Sequence, residues 1–286
     1  MEKLHLISGL PRSGSTLLSA ILNQNPRFRA SISDPLLGTM KTVIEASTGA
    51  AGFKREVSSE QVKKMLGGLI EGYYSDYEDK VVFNTNRGWT ANLHLIKDLY
   101  PDAKCIVCVR EIGWIVDSFE QLYRRDPYKA TNMFSRDEST VYARATGLLK
   151  ADRVIGSAYN SIKQGLSSEH KKSLCLVDYD LFIAAPEAHM KAIYEFLEEP
   201  YFAHDFNNVE SSYDEYDADF GMAGLHTTRK EVKAVPRETI LPNDIWSNVK
   251  NMNFWRQPPP QATVTPEAAP IPEVAPKKAS TKKAAK

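Results

Sequence analysis

Several short stretches of this chain are apolar almost without interruption, and that feature restricts the fold more than any other. They are KLHLIS at 3–8, KVVFNT at 80–85, AKCIVCV at 103–109 and SLCLVDY at 173–179, with FRASIS at 28–33 a weaker member. A strand with one wet face alternates apolar and polar residues, whereas a strand covered on both faces need not, so these runs predict a parallel sheet between helical layers. Helical signals fall between them. Ser13 to Gln24 carries Leu17, Leu18, Ile21 and Leu22 on one face. Ser58 and Gln61 form a capping-box pattern that opens a helix to about Tyr74. Further helices are expected near 90–100, 113–125 and 137–164, and Pro186 suits the first turn of one reaching Leu197. The class is α/β.

At 286 residues, 42% hydrophobic and 25% charged, the chain can bury a proper core. Its formal net charge is zero, so no overall field points to nucleic acid or a membrane surface. No apolar run reaches the roughly 18 residues of a membrane helix, and MEKLHLISGL is too short an apolar run for a secretory leader. Three cysteines make no disulfide framework and suit the reducing cytoplasm. Cys105 and Cys108 form a C-x-x-C, but residues three apart on a strand face opposite sides, so both are expected in the core. From Gln257 the chain turns proline- and alanine-rich, lacks aromatic residues and ends in lysines. Residues 257–286 are therefore expected to be a disordered tail on a catalytic domain spanning 1–256.

Between the first strand and first helix lies GLPRSGSTLL. It nearly spells G-x-x-x-x-G-K-[ST], the loop that holds nucleoside triphosphates, but Ser15 stands in place of the lysine. A glycine-bearing turn into a helix gathers backbone N–H groups at one spot, with the helix dipole behind them, and so makes an anion site. Gly14 permits close approach, Ser13, Ser15 and Thr16 add hydroxyls, and Arg12 adds a planar cationic fork. The expected architecture is thus a three-layer P-loop-type fold. A second feature lies in CIVCVREIGWIVDSF: Arg110 ends a buried strand and Ser118 follows about two helical turns later. So placed, the two can share one phosphate group.

Taken together, GLPRSGSTLL and VREIGWIVDS resemble the sulfotransferases that use 3′-phosphoadenosine 5′-phosphosulfate (PAPS), with the N-terminal loop most similar to the bacterial and tyrosylprotein branch. The resemblance implies that Pro11, Arg12, Ser13, Gly14, Ser15 and Thr16 hold the 5′-phosphosulfate, and that Arg110 and Ser118 hold the 3′-phosphate. It implies further that Tyr179, in VDYDLF, neighbours the adenine, and that Thr227, Thr228 and Arg229, in GLHTTRKEVKAVPR, belong to a loop closing over the donor. The implied reaction is in-line transfer of a sulfuryl group to a hydroxyl or amine, with no metal required. The partners are the donor and a carbohydrate, tyrosyl-peptide or small-alcohol acceptor, and the resemblance leaves room for a homodimer.

An alcohol acceptor needs a base. The branch places a glutamate pair where this chain has Ile32 and Ser33, so the next carboxylate, Asp34, is the expected base; its other role would be to cap the helix after Pro35. His94 is an alternative base. Asn84, Asn86 and Arg87 follow a buried strand, and Arg87 is expected to act electrostatically near the transferred group, where relatives carry a lysine. The acidic run VESSYDEYDADFG at 209–221 reads as a solvated loop. Arg124, Arg125 and Arg136 hint at an acidic acceptor.

The competing enzyme class is a P-loop kinase or nucleotide hydrolase, with Asp178 as a candidate metal-holding carboxylate; a binding module of the same fold is a third reading. Titration separates them. A sulfotransferase is expected to bind 3′,5′-phosphoadenosine equally well with magnesium or with EDTA, whereas binding of ATP that requires magnesium would point to the kinase.

Overall fold

The computed structural model describes residues 1–48, 57–127, 134, 139–209, 211, 213, 217 and 226–256. The chain divides into two units, Met1–Asn253 and Phe254–Lys286. Of the second, the described residues are Phe254–Arg256, a 3-10 turn. The segment 257–286, expected to be a tail, lies outside the described residues.

Five strands of the first unit form one parallel sheet: β1 Lys3–Gly9, β2 Phe28–Ala30, β3 Val81–Thr85, β4 Cys105–Val109 and β5 Leu174–Asp178. Their spatial order is β2-β3-β1-β4-β5. Every residue of β3 and β4 is buried, which is why neither alternates. The helices are α1 Ser15–Leu22, α2 Leu36–Thr48, α3 Ser59–Tyr73, α4 Leu93–Lys97, α5 Ile112–Arg125, α6 Val141–Leu149, α7 Val154–Ser167, α8 Tyr179–Ala184, α9 Pro186–Leu197 and α10 Asn243–Val249. Leu18 and Ile21 of α1 and Ile193 of α9 join Ile7, Ile106 and Val177 in one buried cluster. Each such aliphatic side chain contributes about 1.5–3 kcal/mol by leaving water, so this join dominates the local energetics. Among the described residues no helix is long and apolar enough to cross a membrane.

Local signals decide several boundaries. The Ser58 hydroxyl accepts from the Gln61 amide at 3.2 Å, and the Gln61 side chain accepts from the Ser58 amide at 2.8 Å, completing the capping box of α3. Pro186 occupies the first turn of α9. Cys105 and Cys108 are buried and free, and burial raises both thiols, Cys108 to about 12. The helix expected over 137–164 is instead two, α6 and α7, separated by an extended backbone at Lys150 (ψ 147°). The chain doubles back so tightly there that a Cβ on Gly156 would lie 2.0 Å from the Lys150 carbonyl oxygen. Residues 137 and 138 lie outside the described residues.

Gly9 is paired with Cys108 where β1 lies against β4. Its φ is +129°, and a Cβ there would lie 2.0 Å from the Cys108 carbonyl oxygen. Gly9→Ala is expected to lower stability by at least about 1–3 kcal/mol, measured as a lower urea midpoint at unchanged slope.

Candidate active site

In an open parallel sheet, ligand sites gather beyond the carboxyl ends of the strands, where the strand order reverses. Here β3 and β4 lie on either side of β1, and a cavity of about 1030 Å³ opens at that end. Its walls come from the segments after β1 (Pro11, Arg12, Gly14, Ser15, Thr16), β3 (Asn86, Arg87), β4 (Arg110, Ser118) and β5 (Tyr179, Asp180), and from 226–237.

The loop after β1 has left-handed backbone at Arg12 (φ 57°) and Gly14 (φ 93°). Alternation of this kind turns successive N–H groups toward one concavity. The first-turn amides of α1, which lack partners within the helix, belong to residues on the same wall. Gly14 is required twice over: besides its φ, a Cβ would lie 2.5 Å from the Tyr179 ring. Ser13 departs from the expected role of a hydroxyl donor to the ligand. It is buried, and its hydroxyl lies within hydrogen-bond distance of the carbonyls of Leu10 (2.5 Å) and Cys108 (3.0 Å), tying the loop to β4. What Ser13 can still offer the cavity is its backbone.

The two arginines predicted from separate motifs meet. Arg110 donates from Nη1 to the Arg12 carbonyl at 3.2 Å, and Arg12 donates from Nε to the Ser118 hydroxyl at 3.1 Å. As acceptor in that bond, Ser118 keeps its own hydrogen to donate. The Arg110 guanidinium stacks on Tyr179 at 4.3 Å, so Tyr179 is held between Gly14 and Arg110. Arg110 Nε is buried without a hydrogen-bond partner, its approach to Asp180 being 3.9 Å. Burial, then the charges of Arg110 and Arg125, lowers Arg12 to about 10. Burial lowers Arg110, despite the opposing charge of Asp180, and burial followed by Arg110 lowers Arg237. These cations repel one another where desolvation already disfavours them, an arrangement that a polyanion would relieve.

The other expected residues divide. Thr227, Thr228, Arg229 and Arg87 all line the cavity. The Thr228 hydroxyl, however, donates to the Val209 carbonyl and accepts from the Ser211 amide, both at 2.8 Å, so it braces the segment. The Arg87 backbone is pinned by the Ser8 hydroxyl at 3.0 Å. Asp34 is not on the cavity wall, although Ile32 and Ser33 are. It is buried, and its carboxylate accepts from the Leu36 amide at 2.9 Å at the start of α2. Asp34 thus takes the helix-capping role that the sequence also allowed, and its place off the cavity wall does not support it as the base. His94 is exposed on α4, away from the cavity. Asn84 is a core residue bonded to Tyr74 and Trp89, whereas Asn86 lines the cavity. Arg124 is tied to Glu120 at 2.8 Å, Arg125 lines the cavity, and Arg136 lies outside the described residues. Asp178 caps α8 by accepting from the Asp180 amide at 3.0 Å. Among the described residues no three His, Cys, Asp or Glu side chains are grouped to hold a metal ion.

Three contributions were invisible in the sequence. Asp117, fully buried in α5, accepts from the Thr239 hydroxyl and the Ile240 amide at 2.8 Å and from Gln121 at 2.6 Å. It thereby anchors the segment that walls the cavity. Within that segment Arg237 stacks on Trp114 at 4.0 Å. The third is a pair, Asp217 and His226. Asp217 belongs to the run expected to be a solvated acidic loop, yet it is fully buried and bonded to His226; the run's residues 210, 212, 214–216 and 218–221 lie outside the described residues. No local motif links partners 9 or more than 100 residues apart.

Residues 6–203 match the sulfotransferase family. Among solved structures, the chain is similar to the sulfotransferase domain of the Synechococcus PCC 7002 olefin synthase, at 16% identity over 90% of this chain and 95% of that one, with a TM-score of 0.49. It is also similar to a sulfotransferase from Alicyclobacillus acidocaldarius (17% identity, 77% and 92% covered, TM-score 0.48). A mouse sulfotransferase complexed with PAP is a third (16%, 70% and 59%, 0.44). No curated protein matches the chain significantly.

Removing the anchor of the 237–241 segment should loosen it. Asp117→Ala is expected to speed hydrogen exchange at the Ile240 amide and to cost about 1.5–3 kcal/mol, the range for losing charge-assisted hydrogen bonds, both read on the free protein.

Proposed function

The chain belongs to the sulfotransferase family, and on that premise we propose that it transfers a sulfuryl group from PAPS to a hydroxyl or amine of an acceptor. The observation that carries the donor assignment is the convergence of Arg12, Arg110 and Ser118 on one wall, with a buried Arg110 Nε that has no hydrogen-bond partner. A ligand with two separate anionic groups fits this wall. The backbone of 12–16 with the Arg12 guanidinium receives the 5′-phosphosulfate, and Arg110 with the Ser118 hydroxyl receives the 3′-phosphate.

PAPS supplies an activated sulfuryl group joined to phosphate through a bridging oxygen. As that bond breaks, negative charge grows on the bridging oxygen. Arg12 and the loop amides are already oriented toward an anion there and stabilise the charge without reorganising. Arg87 lines the cavity from the segment after β3 and adds positive charge from the acceptor side. Tyr179, stacked under Arg110, borders the adenine, and Thr227 and Arg229 belong to the segment that closes over the donor. No observation favours a kinase: position 15 is serine, and Asp178 is spent on capping α8. Three free thiols suit the cytoplasm as the compartment.

Arg110→Ala is expected to weaken binding of 3′,5′-phosphoadenosine by roughly 10- to 150-fold, equivalent to about 1.5–3 kcal/mol for a lost charge-assisted contact. Calorimetric titration checks this. Incubation of the protein with sulfur-labelled PAPS and a panel of glycan, tyrosyl-peptide and phenolic acceptors tests the reaction. Unchanged nucleotide affinity in the variant would remove Arg110 from the donor site, and absence of label transfer to every acceptor and to water would count against the activity.

A further inference from the structure

We propose that His226 is the general base of the reaction, with Asp217 as the residue that positions it; the assignment rests on the reading given under Proposed function. His226 lines the cavity that also contains Arg12, Gly14, Ser15 and Thr16. Asp217 grips it at two points: its Oδ1 lies 2.6 Å from His226 Nδ1, and its Oδ2 accepts the His226 backbone amide at 2.9 Å. The carboxylate is fully buried and the imidazole nearly so, with side-chain exposures of 0% and 13%.

A buried carboxylate at that distance holds the proton on Nδ1 and makes Nε2 the basic nitrogen, the division of labour by which a carboxylate orients an imidazole for proton abstraction. The second bond, to the backbone, removes the ring's freedom to swing away from the first. His226 and the loop residues Arg12, Gly14, Ser15 and Thr16 share the wall of one cavity, so the imidazole and the site proposed for the phosphosulfate open to the same space. Neither carboxylate on the cavity wall, Asp180 or Glu231, is so arranged: Asp180 lies 3.9 Å from Arg110, and Glu231 pairs with Lys233. With Asp34 engaged in capping, His226 is the titratable group on this wall whose partner prepares it to receive a proton.

In the step itself, a lone pair of the acceptor oxygen forms the new O–S bond while the acceptor O–H proton passes to His226 Nε2. The S–O bond to the 5′-phosphate breaks, and its electron pair leaves on the phosphate oxygen. The products are a sulfate ester, 3′,5′-phosphoadenosine and an imidazolium whose charge Asp217 offsets; that proton then returns to solvent. No further reagent is needed.

The test uses His226→Asn, whose amide can keep the contact to Asp217 but offers no base, in the full-length protein with labelled PAPS. Two acceptors are compared: the alcohol N-acetylglucosamine, which must lose a proton, and a nitrophenol assayed above its own pKa, which has already lost it. Water serves as the protic acceptor if the sugar is not used, and loss of donor hydrolysis is then read in its place. Transfer to the protic acceptor is expected to fall by about 10²- to 10⁴-fold, with nitrophenolate transfer reduced by less than about tenfold and 3′,5′-phosphoadenosine affinity unchanged. Free imidazole should restore part of the alcohol activity of His226→Ala. Asp217→Asn should lower alcohol transfer in the same selective way. An unaffected His226→Asn, or equal losses with both acceptors, would overturn the base assignment while normal nucleotide binding and wild-type turnover left the sulfotransferase reading intact. A wild type that neither bound 3′,5′-phosphoadenosine nor released label would overturn that reading and the base assignment together.

Discussion

The site depends on one close crossing, where the loop leaving β1 lies against the end of β4. Gly9 has no side chain to hold the two backbones apart, the Leu10 amide donates to the Cys108 carbonyl at 2.9 Å, and the Ser13 hydroxyl reaches that same carbonyl. Because Gly9 is in register with Cys108, residues a short way beyond each strand must meet. Arg12 and Arg110 therefore share a hydrogen bond although 98 residues separate them. The positive φ at Arg12, unfavourable for a residue with a side chain, is held by the surrounding bonds and turns the loop's amides to one side.

Local order of this kind is maintained against an electrostatic cost. Arg12 and Arg110 are partly buried, and the Arg110 charge further disfavours both Arg12 and the more exposed Arg237. A free protein gains nothing from that concentration of like charge; an anionic ligand does, because it enters a site whose dipoles and cations are already placed. Stacking on Tyr179 and Trp114 keeps two of these guanidiniums in position without neutralising them. The aromatic faces compensate part of the lost hydration while leaving the charges to act on the cavity. Asp117 extends the same economy to the segment above, holding 239 and 240 by buried hydrogen bonds from a helix whose Ser118, one residue on, faces the ligand wall.

Where a feature depends on neighbours in sequence, it was legible. The unbroken apolar runs become parallel strands, the Ser58–Gln61 box caps α3, Pro186 starts α9, and the glycine loop lies between β1 and α1. Arg12, Arg110, Ser118 and Tyr179 could be singled out because each follows a buried strand at a short distance. Ser13 and Asp34 show the limit of the same reading. Both occupy positions near the site, but a side chain's direction is set by the groups it meets: the carbonyls of Leu10 and Cys108 for Ser13, and the Leu36 amide for Asp34. The break between α6 and α7 was hidden because the apolar period continues across it, while the backbone turns extended at Lys150 and closes by the Arg153 amide donating to the Lys150 carbonyl at 2.9 Å.

By itself, the sequence determined the α/β class, the parallel sheet and the glycine loop between β1 and α1, because periodicity and glycine placement are local properties written directly in residue order; two short motifs carried the resemblance to the family. Tertiary structure decided which of those residues share a wall, which hydroxyls and carboxylates are consumed in holding the fold, and how Asp217, from an acidic run that reads as solvated, becomes the buried partner of His226. The physical reason is burial. Charge, hydrogen-bonding and basicity in this site are set by what excludes water and what stands within a few ångströms, and neither can be read until distant segments have packed.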